Sequence, residues 1–450
     1  MGLPATPVEG SPASAPANVD GSAGRTRTYP WLVFAVIFAL LLSDYMSRQV
    51  LSAVFPILKE DWGLSDSKLA SLNSVVALMV GILAFPLSLL ADRWGRIKSL
   101  ILMATIWSVA TLLCALAASY EQMLAARFFV GVGEAAYSSV GLALLLTVFP
   151  HRLRASLSGT FLSGASYGSV IGVALGGAIA VHLGWRWSFA SMAVLGLVLV
   201  ALFRIVVTER RLAIHRYDDA ATEDAEPAGD RPPLRTLVSN PALVLAYLGS
   251  GLQMFVQAVL ILWLPSYFNR YYSMAPDKAG LTAAAFIVLI GVGMTVCGIV
   301  SDRISAGHPG RKWTIAATIC ALSAALLLTG FSVGHGALQL TLLGVGSFFS
   351  AGATGAVTAL VVELSHPGLR ASALGVGILG NNIFGIALGP LVAGIVADRF
   401  GLDVALQLTP LIYIAAIAAL VVGRRAYPAG LRRLANHTAP DAVNTESEKQ

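Results

Sequence analysis

Apolar runs of about twenty residues, separated by short polar stretches, recur along almost the whole chain. Each is long enough to cross the ~30 Å hydrocarbon core of a bilayer as a helix. Twelve helices are predicted, over about 30–55, 69–91, 98–118, 123–149, 155–181, 187–207, 241–268, 280–300, 313–333, 337–362, 371–397 and 404–423. Period-two alternation is missing, which argues against a closed barrel and leaves helices as the way for backbone in lipid to satisfy itself. Residues 1–28, rich in Pro, Ala, Gly and Ser, read as a disordered leader. The first apolar run passes into Asp44–Arg48 without a small-residue cleavage site, so it reads as an uncleaved helix. Residues 208–240, with the Pro232–Pro233 pair, read as a cytoplasmic linker between a six-helix bundle at 29–207 and a second at 241–425. Residues 426–450 read as a cytoplasmic tail.

Composition agrees: 56% of the 450 residues are hydrophobic and 12% charged, against roughly 25% charged in soluble domains. The formal net charge of +6 gathers at span ends, so it is no sign of nucleic-acid binding. With both termini inside, twenty-two Lys and Arg fall in inner segments and six in outer loops, a bias that predicts cytoplasmic termini in a plasma or inner membrane. Cys114, Cys297 and Cys320 lie within apolar spans at no metal-binding spacing, and read as small buried residues. No phosphate-binding Gly-x4-Gly-Lys-Ser/Thr loop and no catalytic or metal-ligating constellation occurs. The expectation is a non-enzyme without cofactor, energised by a proton gradient and working as a monomer in the lipid bilayer.

Four charges fall well inside spans: Asp44 and Arg48 in the first, Arg127 and Glu134 in the fourth. An ionisable group at membrane depth costs at least ~2.5–3.5 kcal/mol and therefore faces a partner or a water-filled cavity. Arg127 and Glu134 are two turns apart and point the same way. At about 1.5 Å per residue, Asp44 lies about 20 Å above the start of the first span and Glu134 about 16 Å below the start of the fourth. The depths overlap, and the expectation is a neutral four-charge cluster in a hydrated cavity. Asp44 and Glu134 would be the proton sites, with Arg48 and Arg127 as charge partners and substrate head-group contacts.

The halves repeat in parallel. Gly131-Val-Gly133 recurs as Gly344-Val-Gly346, and Leu153-Arg-Ala-Ser156 as Leu369-Arg-Ala-Ser372. Parallel repeats about an axis along the membrane normal, with a binding site between them, are a secondary-transporter architecture. The second half lacks midplane charges but offers Gln253, Gln257, Thr354, Thr358, Asn381 and Asn382. With Tyr45, Ser47 and Ser138 these are the candidate cavity residues, and the pairing of a charged face with an amide-dotted apolar face suits an amphipathic substrate.

Residues 88–98, SLLADRWGRIK, resemble the signature of the major facilitator superfamily between its second and third helices. Asp92, Arg93, Gly95 and Arg96 match, while Ser88 stands for the usual glycine. Asp302 and Arg303 form a second copy, and Glu363 near the inner end of the tenth span is expected to pair with a gate arginine. The resemblance implies twelve helices in two pseudo-symmetric bundles and a cytoplasmic gate made by these charges. Arg127-x-x-x-Gly131-x-Gly133-Glu134 resembles the superfamily motif whose arginine is implicated in proton coupling. Gly385-x-x-x-Gly389-Pro390 resembles its antiporter glycine motif. Asp44-Tyr-Met-Ser-Arg48, Trp62-Gly-Leu-Ser-Asp-Ser67 and Gly131-Val-Gly-Glu-Ala-Ala-Tyr-Ser138 resemble the bacterial spinster-like branch. Relatives there carry Asp directly before the first-helix arginine; here that place is Ser47, and Asp44 sits one turn earlier on the same face. The resemblance implies a proton-coupled transporter of a lysolipid-like or drug-like amphipath, with an importer of a small organic anion as the alternative.

Overall fold

Every predicted span is a helix, and most run longer than the apolar pattern announcing them. The structure, a computed structural model, describes residues 28–215 and 235–438. The membrane helices are α1 Thr28–Trp62, α2 Asp66–Trp94, α3 Arg96–Leu116, α4 Tyr120–Leu146, α5 Ser156–Leu183, α6 Trp185–Val206, α7 Pro241–Tyr271, α8 Pro276–Ser305, α9 Arg311–Ser332, α10 Ala337–Glu363, α11 Ser372–Phe400 and α12 Leu402–Leu434. No strand occurs among the described residues. The expected leader, apart from Thr28, and the middle of the linker lie outside the described residues. The linker's ends carry short helices at Glu209–His215 and Thr236–Ser239. The last helix continues past 425, to Thr438.

Local chemistry sets the helix ends. Ser65 caps α2 by accepting from the Lys68 N–H, and Ser119 caps α4 by accepting from the Gln122 N–H. Three connections are single glycines, Gly95, Gly184 and Gly401, with φ of 97°, 93° and 92°. A side chain at these positions would be strained, and the one-residue turns force each helix to return beside its predecessor.

Two breaks match across the repeat. α4 is interrupted at Ala135–Ala136, directly after Glu134, and α10 at Ala351–Ala353. In α11 the stretch Asn381–Ala387 is π-helical, a rare geometry that is frequent at functional sites.

Within the first half α1 packs on α5 and α6, and α3 on α4 and α6; within the second α7 packs on α12, and α10 on α8 and α9. Between the halves α2 meets α11, α5 meets α8 and α1 meets α7. At the end opposite the termini, the distal end, these contacts are close. A Cβ on Gly394 of α11 would lie 2.8 Å from the Asp66 carbonyl, and one on Gly177 of α5 would lie 2.8 Å from the Pro276 carbonyl. Toward the terminal end Gly159 of α5 and Gly298 of α8 have open space beside them.

Candidate functional site

Glu134 is the last residue of the helical segment Tyr120–Glu134, and the break behind it points its carboxylate at α1. Gly133 lets this happen, since a Cβ there would meet Trp107 of α3 at 2.9 Å. Arg48 Nη2 donates to Glu134 Oε2 at 2.5 Å. The Arg48 guanidinium also sits 5.3 Å from the centre of the Tyr45 ring. Arg127 Nη2 donates to the carbonyl of Arg48 at 3.4 Å, and its guanidinium lies 5.7 Å from the Phe189 ring centre.

Asp44 completes the group. Its carboxyl is close enough to Arg48 and Glu134 for their charges to act on it. Asp44 Oδ1 and Glu134 Oε1 are buried without a donor among the described residues. Ser47 Oγ donates to the Asp44 carbonyl at 2.8 Å, so it braces the backbone and leaves the carboxylate alone.

The four expected charges therefore gather, with two corrections. Arg127 is 1% exposed and binds a backbone oxygen and an aromatic ring, so it braces the first bundle and is not presented to a substrate head group. The cluster is also not open to water: Asp44 is 2% exposed, Glu134 3% and Ser47 2%, and only the Arg48 side chain, at 12%, reaches accessible space. Packing in the first bundle seals the carboxyls, which helical periodicity along single spans does not reveal.

In the second half, Gln253 is buried and donates to the Ser350 carbonyl at 2.8 Å, bridging α7 to the break in α10. Asn382 is buried and donates to the Ile378 carbonyl. These two serve the α10 break and the π segment rather than an open surface. Gln257, Asn381, Tyr45 and Ser138 are partly accessible, and Thr358 is exposed.

Among the described residues the gate residues make no bond between the halves. Arg96 pairs with Asp92 at 3.4 Å and donates to the Ala143 carbonyl, both in its own half. Asp302 pairs with Lys312 at 3.3 Å. Arg93 and Arg303 are exposed, and Gly95 provides the turn. Glu363 accepts from the Tyr427 hydroxyl at 2.5 Å instead of from a gate arginine, because α12 extends far enough to reach it.

The halves are joined by polar residues at the distal end, which sequence reading missed. The Asp66 carboxylate accepts from both terminal nitrogens of Arg270, at 2.9 and 2.6 Å, and from Lys59 at 2.7 Å. The Asp398 carboxylate of α11 accepts from the backbone N–H groups of Asp66 and Ser67, at 2.5 and 3.0 Å. Deeper, Ser74 Oγ donates to the Ala387 carbonyl at 2.6 Å and Asn73 Nδ2 to the Ile386 carbonyl at 3.5 Å. Phe55 of α1 packs on Trp263 of α7 with ring centres 5.4 Å apart. The only hints were two of the six outer bases, Lys59 and Arg270, and an acid in a capped first turn; their pairing is a long-range fact.

The comparisons with known proteins agree. The family model described as Major Facilitator Superfamily matches residues 37–275 and 246–443. Protein spinster homolog 1 of Xenopus tropicalis is 25% identical over 82% of this chain and 73% of its own length. The probable 4-methylmuconolactone transporter of Cupriavidus pinatubonensis is 28% identical over 80% of this chain and 90% of its own. The crystal structure of a bacterial homolog to the human lysosomal transporter spinster, described as inward-facing and unoccupied, superposes with a TM-score of 0.80 at 18% identity, covering 90% and 99% of the two chains. These relatives are transporters, not enzymes, and this chain belongs to the Major Facilitator Superfamily of multi-pass membrane transporters.

Proposed function

We propose that this protein is a proton-coupled secondary active transporter that moves an amphipathic, lysolipid-like or drug-like substrate across the inner membrane by alternating access. Both termini are cytoplasmic in this reading, following the loop charge bias, so a structure closed distally and open at the terminal end is the inward-facing state. The observation that carries the reading is the burial of Asp44 beside the Arg48–Glu134 ion pair, near enough for their charges to interact. Two ionised carboxylates in contact repel, whereas a proton between them holds them together. One arginine bonded to Glu134 neutralises one of the two, which leaves the other as the place for a proton. When the halves rock, Arg48 is the element that moves the balance, because it alone of the four reaches accessible space. The sealed carboxyls mean that protons enter in another state of the cycle, which keeps an open state from leaking them. The energy source is the proton gradient with no cofactor, and the working unit is a monomer.

A second reading is favoured by one specific feature. The accessible charge of the cluster is a cation, Arg48, and one relative is named a probable 4-methylmuconolactone transporter. An importer of a small organic anion would use Arg48 as its anion contact. The test is uptake into proteoliposomes under an imposed pH gradient, with lysolipids and small carboxylates as alternative substrates. In Glu134→Gln and Asp44→Asn, gradient-driven accumulation is lost while binding, read by ligand-induced thermal shift, remains. If both variants still respond to the gradient, the proton-site assignment is wrong.

A further inference from the structure

At the terminal end of the second half, three segments wall a cavity of about 300 Å³. They are the short helix Thr236–Ser239 with the start of α7, the end of α10 with His366 behind it, and the prolonged end of α12. Gly430 lets α12 lie on the start of α7, since a Cβ there would meet Asn240 Oδ1 at 2.9 Å and Leu364 at 3.2 Å. The cavity is about ten times the share of one water in the liquid, room for a molecular head group. Its lining holds one full-time cation, Arg433, and no carboxylate. The donors come from three different segments. Arg433 spends one of its N–H groups on the Ser239 carbonyl, at 3.1 Å, and keeps the rest. Asn240 is 8% exposed, and its Oδ1 accepts from the Ala242 N–H, which leaves its amide nitrogen without an acceptor among the described residues. His366 Nδ1 accepts from the Gly368 N–H at 3.2 Å, so Nε2 is the nitrogen that carries hydrogen. The Ser239 and Ser365 hydroxyls donate to carbonyls one turn back and add no donor. Leu237, Leu243 and Leu364 form the apolar wall.

We infer that this cavity binds the phosphate of an anionic phosphate ester, and that the bilayer, through an anionic glycerophospholipid head group, is its nearest source. A guanidinium fork joined by two further N–H donors matches phosphate oxygens, which accept from several directions at once. The start of α7 adds the positive end of a 31-residue helix. A second cavity at the same end, lined by Asp92, Arg96 and Glu209, carries two carboxylates and would repel the same group. The apolar wall favours a lipid over a soluble ester. Val238, 60% exposed, follows Leu237 in the chain, and Arg424, Arg425 and Arg432 are exposed on the same stretch of α12. Basic pockets between membrane helices at their cytoplasmic ends are suited to anionic head groups. A bound phosphate would tie the end of the linker to α10 and α12, because Asn240, His366 and Arg433 would share one anion. The inference uses neither the Asp44 cluster nor the transported substrate, so it can fail while the coupling reading stands, and the reverse.

Native mass spectrometry of the full-length protein in a neutral detergent tests it, with phosphatidylglycerol, phosphatidylcholine and inorganic phosphate as probes. One phosphatidylglycerol is expected to stay bound where phosphatidylcholine, whose ammonium finds no carboxylate in the cavity, does not. Arg433→Gln weakens that binding about tenfold, the equivalent of about 1.4 kcal/mol lost with one charge-assisted hydrogen bond. His366→Leu weakens it as well, and Arg433→Lys keeps part of it. Arg424→Gln with Arg425→Gln, outside the cavity, leaves it unchanged. Neither Arg433 nor His366 is buried, so the variants are expected to fold, and unfolding temperatures without lipid check this. Inorganic phosphate that binds alone or displaces the lipid assigns the site to soluble phosphates, and a lipid signal indifferent to phosphate assigns it to the bilayer; both uphold a phosphate site. The inference is overturned if neither phosphatidylglycerol nor phosphate binds above the phosphatidylcholine background, or if Arg433→Gln and His366→Leu bind as the unaltered protein does. It is also overturned if the Arg424 and Arg425 substitutions weaken binding equally, which would be diffuse surface attraction.

Discussion

Arg48 and Glu134 form a 2.5 Å ion pair that ties the middle of α1 to the break in α4, with the guanidinium of Arg127 hydrogen-bonded to the carbonyl of Arg48 behind them. The pair is buried on the carboxylate side, so removing one partner leaves an uncompensated charge. Arg48→Met alone is expected to destabilise by about 3–5 kcal/mol, and Arg48→Met with Glu134→Leu by much less, because a buried pair replaced by apolar residues is often neutral. Thermal unfolding of the purified variants in one detergent checks the order.

Transport should separate from exchange. Glu134→Gln and Asp44→Asn remove the groups proposed to carry the proton but preserve side-chain volume. Gradient-driven accumulation falls to background in both, while substrate exchange at equal pH on the two sides continues. Loss of exchange together with accumulation would make the two carboxyls structural.

Arg127 is expected to act through Arg48. Its contact with the Phe189 ring is worth about 0.5–2 kcal/mol, and its bond to the Arg48 carbonyl fixes the local backbone of α1. Arg127→Lys keeps charge and ring contact and should lower turnover modestly; Arg127→Met should lower stability and turnover together. Substrate affinity should not move in Arg127→Lys, since this side chain is buried inside the first bundle. A selective loss of affinity in Arg127→Lys would return it to the binding site.

At Gly133 α4 packs tightly against α3. Gly133→Val places carbon 2.5 Å from the Trp107 backbone nitrogen and 2.9 Å from the Met103 carbonyl. Overpacking of this kind typically costs about 1–3 kcal/mol. It should also displace Glu134 from Arg48, so a drop in unfolding temperature should accompany a loss of proton-driven uptake. Normal uptake in a destabilised Gly133→Val protein would uncouple the packing from the site.

Among the described residues the gate charges Asp92, Arg93, Arg96, Asp302 and Arg303 make no bond between the halves. Arg96→Ala should therefore leave the distally closed state nearly as stable, within about 1 kcal/mol for an exposed pair, while lowering the population closed at the terminal end. Distances between labels on Arg204→Cys and Arg424→Cys, taken with and without Arg96→Ala, report that population.

The sequence alone determined the architecture. Twenty-residue apolar runs, loop bases and the offset copies of Gly-Val-Gly dictate twelve helices in two repeated halves, because lipid leaves backbone few alternatives. It also located the charges that meet, since a buried ion inside an apolar span must find a partner. What it left open were the angles between helices. A break after Glu134, a π segment at Asn381–Ala387 and a helix prolonged to Thr438 each depend on neighbours far along the chain. Those deviations decided that Arg48 takes Glu134, that Arg127 turns to a carbonyl, that Glu363 meets Tyr427, and that Asp66 and Asp398 close the distal end. Periodicity fixes which face a residue occupies; only packing between distant segments fixes what that face meets.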